Sequence, residues 1–135
     1  MGSPCHIESV RYLKYKGLPL ASSVKLTVGL FCRENYGYMC LAKKVMTKGM
    51  DINQVDKLDV SNEFLIYAGG KKLSLPITEV KSCVPRHCLI FQDFSAELAD
   101  IAIGSGGSVK GWSAVIMRTE QGEKVFSGME GRGDS

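Results

Sequence analysis

With 135 residues, 44% of them hydrophobic and 23% charged, the chain can bury one core and is too evenly mixed to be disordered or fibrous. A net charge of +3 permits contact with nucleic acid or an acidic surface without demanding it. Five cysteines at irregular spacing (Cys5, Cys32, Cys40, Cys83 and Cys88) form a poor disulfide framework, and "MGSPCHIESVRYLKYK" has no apolar export core, so a reducing, cytoplasmic setting is expected.

Near the start, "IESVRYLKY" alternates weakly between apolar and polar residues. In "SSVKLTVGLFC", Val24, Leu26, Val28 and Leu30 alternate with Lys25 and Thr27, the pattern of a half-buried strand. "GYMCLAKKVM" reads as a further strand, and "DINQVDKLDV" has room for one helical turn. The strongest local signal is "EFLIYAGGKKLSLPI". Its two apolar runs flank Gly69-Gly70, the pair that a tight primed turn accepts. Pairing across that turn sets Ile66 opposite Leu73 and Phe64 opposite Leu75 on one face, with Leu65 and Tyr67 on the other beside Ser74 and Lys72.

"HCLIFQDF" is another short apolar run, read as a strand. "DFSAELADIAIG" supports either a helix capped by Ser95 and stopped at Gly104, or a strand over residues 98–103. "GSGGS" at residues 104–108 resembles a flexible connection. "GWSAVIMRT" with "VFSG" suggests a closing hairpin with Gly122 in its loop. The expected class is therefore all-β or β-rich α+β. The pattern suggests a small irregular β-barrel of six or seven short, mostly antiparallel strands with at most one or two short helices. Residues 1–107 would form the barrel domain. Residues 108–135 would supply a final hairpin of the same domain or a partly flexible tail.

Residues suited to catalysis are few. Cys32 or Cys40 could in principle pair with His87 as a nucleophile and base, but no family signature surrounds them, and the bland reading is that these cysteines are small buried hydrophobes. Cys83 and Cys88, with His87 between them, lack the close-spaced ligand pairs of a structural zinc site. "GSGGSVKG" departs from both the Walker loop and the dinucleotide fingerprint. No catalytic residue, metal or cofactor is assigned. The remaining lead is basic. Lys43, Lys44, Lys71, Lys72 and Arg86, with Tyr36 and Tyr38 as stacking faces, would gather on a barrel rim and could hold RNA or another partner. The terminal "GRGDS" reproduces an adhesion peptide, but integrin binding through Arg132, Gly133 and Asp134 is not expected of an intracellular protein.

The stretches "CRENYGYMCLAKK", "NEFLIYAGGKKLS", "CVPRHCLIF" and "FSAELADIAIGSGG" follow one another over about residues 36–107. Their order resembles that of the coronavirus leader protein, the first non-structural protein of the replicase polyprotein. The family's helix after its first strand has little room here, and the chain continues past the Gly-rich end where that family is often cleaved. The resemblance implies a non-enzymatic β-barrel that suppresses host gene expression through RNA, the ribosome or other host proteins. The alternatives are a protein–protein or homodimeric structural module, and a small cysteine hydrolase.

Overall fold

A computed structural model describes residues 1–60, 62–109 and 111–130, so the Arg132-Gly133-Asp134 motif lies outside the described residues. In chain order the elements are α1 (Pro4–Tyr15), α2 (Pro19–Ser22), β1 (Val28–Leu30), α3 (Tyr38–Thr47), β2 (Val55–Val60), β3 (Glu63–Ala68), β4 (Lys71–Pro76), α4 (Ile77–Val80), α5 (Arg86–Ile90), β5 (Ile101–Gly104), β6 (Ala114–Met117) and α6 (Glu120–Glu130). The fold is mixed α+β. Its strands form two separate three-stranded sheets, and the expected barrel does not close among the described residues. No helix of the described residues is long and apolar enough to cross a membrane.

The chain divides into two compact units, one of Met1–Arg33 with the chain from Phe91 on, the other of Glu34–Ile90. In the first unit the sheet order is β1-β5-β6, with β1 parallel and β6 antiparallel to the central β5. Gly2 extends the β1 edge, where its N–H donates to the Val28 carbonyl at 3.0 Å and its carbonyl accepts from Leu30 N–H at 2.9 Å. The core here is built from small side chains: Ile7 of α1 meets Ala96, Ala99 and Ala102, with Phe31 packed beside them.

Several expectations change in this unit. The first weakly alternating stretch is helix α1, because Pro4 takes the first helical position, where its missing N–H has no helical partner in any case. Val24 and Leu26 stay outside the strand, which begins at Val28. Of the two readings of "DFSAELADIAIG", the strand forms, though only from Ile101. The Asp93 carboxylate accepts from the N–H groups of Ser95 and Glu97, and this closes a turn where a helix could have started. The expected closing hairpin is also different: β6 pairs back onto β5, and "EQGEKVFSG" is helical in α6.

The second unit is the antiparallel meander β2-β3-β4. Its hairpin has the expected register, with Phe64 opposite Leu75 and Ile66 opposite Leu73, turning at Gly69 and Gly70, both at positive φ. Phe64, Ile66 and Leu75 are buried, and Leu41, Val45 and Val80 complete the core above them. This packing explains why "GYMCLAKKVM" is helix α3 and not a strand. Leu41 and Val45 lie one helical turn apart with Ala42 beside them, so helical spacing buries all three. "HCLIFQDF" is likewise no strand: it begins within α5 and continues as irregular chain. "DINQVDKLDV" does hold its helical turn, Ile52–Gln54, and then runs into β2.

Cys40 in the first turn of α3 is joined to Cys83 in the 3-10 turn Lys81–Cys83, so the irregular cysteines do supply one disulfide. Cys5, Cys32 and Cys88 lie outside it.

Phe64 fills the centre of this core and meets the Tyr36 ring edge-on at 5.0 Å. Phe64→Ala is expected to destabilise the second unit by about 3–5 kcal/mol, read by chemical denaturation. A loss below about 1 kcal/mol would contradict the packing described.

Candidate functional site

The parallel pair β1 and β5 ends on one side in two loops, and parallel strands commonly place ligands at their carboxyl ends. After β1 the chain runs through Phe31, Cys32 and Arg33; after β5 it runs through the glycine-rich residues 104–108. A cavity of about 330 Å³ opens beside Cys32 and Arg33 and is completed by Phe91, Gln92, Asp93 and Phe94. Two backbone hydrogen bonds hold this wall, Phe31 N–H to the Ile103 carbonyl and Cys32 N–H to the Phe94 carbonyl, each at 2.9 Å.

The glycines are structural requirements of this wall. A Cβ on Gly104 would lie 2.3 Å from the Phe31 ring, and one on Gly106 would lie 3.0 Å from the Phe94 ring. The two rings stand 5.3 Å apart and tilted, so the loop backbone rests on an aromatic pair. What reads in the sequence as a flexible connection is a close backbone approach.

The opposite, amino end of the same strand pair is fixed by Asp100. Its carboxylate accepts from the Thr27 N–H at 2.7 Å, the Thr27 hydroxyl at 2.6 Å, the Arg11 guanidinium at 3.0 Å and the Thr119 hydroxyl at 3.0 Å. Asp100 N–H in turn donates to Thr27 Oγ1 at 3.0 Å. Four segments meet here: α1, the entry to β1, the entry to β5 and the start of α6. Gly122 of α6 sits so close that a Cβ would lie 2.3 Å from the Asp100 carbonyl oxygen, and its N–H donates to Thr119 Oγ1 at 3.1 Å.

Burial alone would raise the Asp100 pKa. The hydrogen bonds from Thr27, Thr119 and Arg11 outweigh it and bring the carboxyl from its usual 3.8 to about 2.

The basic residues singled out from the sequence occupy other places. Lys43 and Lys44 lie on α3, Lys71 and Lys72 at the start of β4, and Arg86 at the start of α5. Without a barrel there is no rim to gather them. Lys43 and Lys44 do share one cavity, with Cys40, Thr47 and Ser82. Tyr36 packs into the core of the second unit, and its hydroxyl donates to Glu34 Oε1 at 2.6 Å; Tyr38 is exposed at the start of α3. Cys40 is held in the disulfide, which removes it as a free nucleophile for His87. Among the described residues, no three His, Cys, Asp or Glu side chains converge as a metal site.

The residues that the sequence reading missed are Arg33, Phe31, Phe94 and Asp100. Asp100 had a signal: it is the one charge inside the apolar run "LADIAI".

A cavity lined by aromatic and polar side chains at the carboxyl end of a parallel strand pair is a common place for a small ligand. Comparison with known proteins shows the family of the chain. The family formed by the C terminus of the coenzyme F420 hydrogenase/dehydrogenase beta subunit matches residues 1–134, and the chain belongs to this family. It is 32% identical to the coenzyme F420-dependent sulfite reductase of Methanocaldococcus jannaschii, over 96% of this chain and 23% of that protein. It is 37% identical to the coenzyme F420 hydrogenase subunit beta of Methanothermobacter thermautotrophicus, over 79% of this chain and 39% of that one. A chain from the F420-reducing [NiFe] hydrogenase complex of Methanosarcina barkeri matches with a TM-score of 0.89 and 30% identity, over 98% of this chain and 47% of that chain. The chain thus spans less than half the length of each of these relatives.

This membership overturns the viral reading. The similarity to the coronavirus leader protein rested on apolar strands of common composition, and two of the quoted stretches are helical where strands were needed. The non-enzymatic module, the RNA or ribosome partner, the host-protein and homodimer alternatives and the cysteine hydrolase are corrected with it, since the relatives are redox enzymes and their subunits.

Asp100 gives the pH dependence a definite sign. Its folded pKa lies below its unfolded value, so its stabilisation is complete above about pH 5 and is lost as pH falls from about 4 towards 2. The loss is expected to reach up to about 2 kcal/mol in denaturant melts. Asp100→Asn should remove about 2–4 kcal/mol at pH 7 and flatten that acid dependence. An unchanged acid limb in the variant would contradict the assignment.

Proposed function

We propose that this chain is part of a redox-enzyme subunit, that it contributes to the site where coenzyme F420 exchanges reducing equivalents, and that it works beside other enzyme subunits. The observation that carries this is the cavity at the carboxyl end of β1. Arg33 offers a cation for an anionic group, and Phe91 and Phe94 offer apolar faces, while Gly104 and Gly106 let the Phe31 and Phe94 rings pack close behind that wall. A volume of about 330 Å³ suits one portion of a coenzyme, consistent with the remaining walls coming from the rest of a larger protein. The residues present therefore fit an organic coenzyme. A cytoplasmic location is kept as part of this proposal, though the cysteine pattern no longer argues for it, since Cys40 and Cys83 are joined.

In this site the chain's own residues would bind and orient. The Arg33 guanidinium would fix the ligand's anionic part, and the Phe31–Phe94 pair would keep the loop rigid beneath it. Asp93 is already engaged by the N–H groups of Ser95 and Glu97, so its role is to hold the wall.

Titrating coenzyme F420 into the chain, with hydrogen exchange as readout, is expected to protect residues 31–33 and 104–108. Gly106→Val and Arg33→Ala should each weaken that protection at least about tenfold in apparent affinity. Protection confined to the second unit, or binding untouched by both substitutions, would contradict the reading.

A further inference from the structure

The disulfide of the second unit sits in a chemical setting that a purely structural crosslink does not require. Cys83 is buried, whereas Cys40 is half-exposed and opens onto a cavity of about 500 Å³ that it shares with Lys43, Lys44, Thr47 and Ser82. Lys43 and Lys44 follow Cys40 by three and four positions on α3, so they lie on its side of the helix. Cys40 also stands in the first turn of α3, whose free N–H groups favour negative charge. Neither Lys43 nor Lys44 has a salt-bridge partner among the described residues; the ion pairs there are Arg11–Asp100, Lys48–Glu79 and Lys57–Asp59. Two cations, a helix terminus and a half-buried cysteine therefore border one cavity.

We propose that Cys40 is a thiol-exchange site, and that its Cys40–Cys83 bond is opened selectively by small anionic thiols. The thiolate of such a molecule attacks Cys40 Sγ, the sulfur of the less buried cysteine. A mixed disulfide forms, the bond to Cys83 breaks, and Cys83 leaves as a thiolate that takes up a proton. A second thiolate then attacks the thiol's sulfur in the mixed disulfide and releases Cys40 as a thiolate. Two thiols are oxidised to one external disulfide, and the protein disulfide gains two electrons. The lysines act twice, drawing the anionic thiol into the cavity and stabilising the departing Cys40 thiolate. Such stabilisation of the reduced form makes a disulfide easier to open. Opening it leaves Gly37 N–H donating to the Cys83 carbonyl at 2.8 Å, so α3 loses its covalent tether to the turn but keeps a hydrogen-bonded one.

The test measures opening of the disulfide in the whole chain by mercaptoacetate, 2-mercaptoethanol and cysteamine, which are anionic, neutral and cationic thiols. Rates are corrected for each thiol's own pKa, and the mixed disulfide is mapped by mass spectrometry. Mercaptoacetate is expected to react about tenfold faster than cysteamine at low salt, and the preference should shrink to within about twofold near 1 M salt. The first adduct should be on Cys40. The doubly substituted K43Q/K44Q chain, its fold checked by circular dichroism, should lose the preference while still reacting with 2-mercaptoethanol. The proposal is overturned by equal corrected rates for the three thiols, by a first adduct on Cys83, or by a bond that opens only when the chain unfolds. A purified chain whose two thiols resist closure by mild oxidant also overturns it.

Discussion

The carboxylate of Asp100 is the point from which the first unit is organised. It is buried, it stays ionised, and it gathers donors from Thr27, Arg11 and Thr119 while its own N–H returns to Thr27. Thr27 and Asp100 are 73 residues apart in the chain, yet they stand side by side at the amino ends of β1 and β5. A parallel pair so short has few ladder hydrogen bonds of its own. The charge-assisted bonds at its entry hold the register, and a one-residue slip would move every side chain of β1 to the other face. The carboxyl ends then arrive where Phe31 can lie under Gly104 and Phe94 under Gly106. The cavity is thus a consequence of a polar lock at the other end of the same strands.

The second unit rests on a different balance. Its meander buries Phe64, Ile66 and Leu75 beneath α3 in an apolar core, and its one disulfide joins two elements that already share a hydrogen bond. Hydrophobic packing dominates there, whereas the first unit has an alanine-rich core and depends more on directional bonds. The first unit carries the cavity at the end of β1, and the second carries a disulfide whose Cys40 shares a cavity with Lys43 and Lys44.

Local signals were legible in the sequence. Gly69-Gly70 between alternating apolar residues gave the β3–β4 register residue by residue, since a tight turn leaves one solution. Six short strands form as expected among the described residues, but the helix content was not readable: six α-helices stand where at most one or two short ones were expected. Nor was the absence of a barrel readable, because closure depends on pairings between distant segments, and the β1–β5 pairing leaves no mark in either strand alone. Helix α3 was obscured because Tyr38, Met39 and Met46 add exposed apolar residues to its buried face and blur the helical period. At the site, the glycines of residues 104–108 read as flexibility, since a sequence does not show which ring fills the space a missing Cβ leaves. The basic residues drew attention as a charge pattern that the fold spreads over three elements of the second unit.

The most direct test of the account is the affinity of the Asp100→Asn chain for coenzyme F420, measured at neutral pH under conditions where the variant is still folded. Asp100 lies at the far end of β5 from the cavity, so it acts on a ligand there only by setting the strand register. A drop of at least about tenfold with the fold retained is the expected result. Unchanged affinity in the folded variant would contradict the claim that the Asp100 lock positions the site.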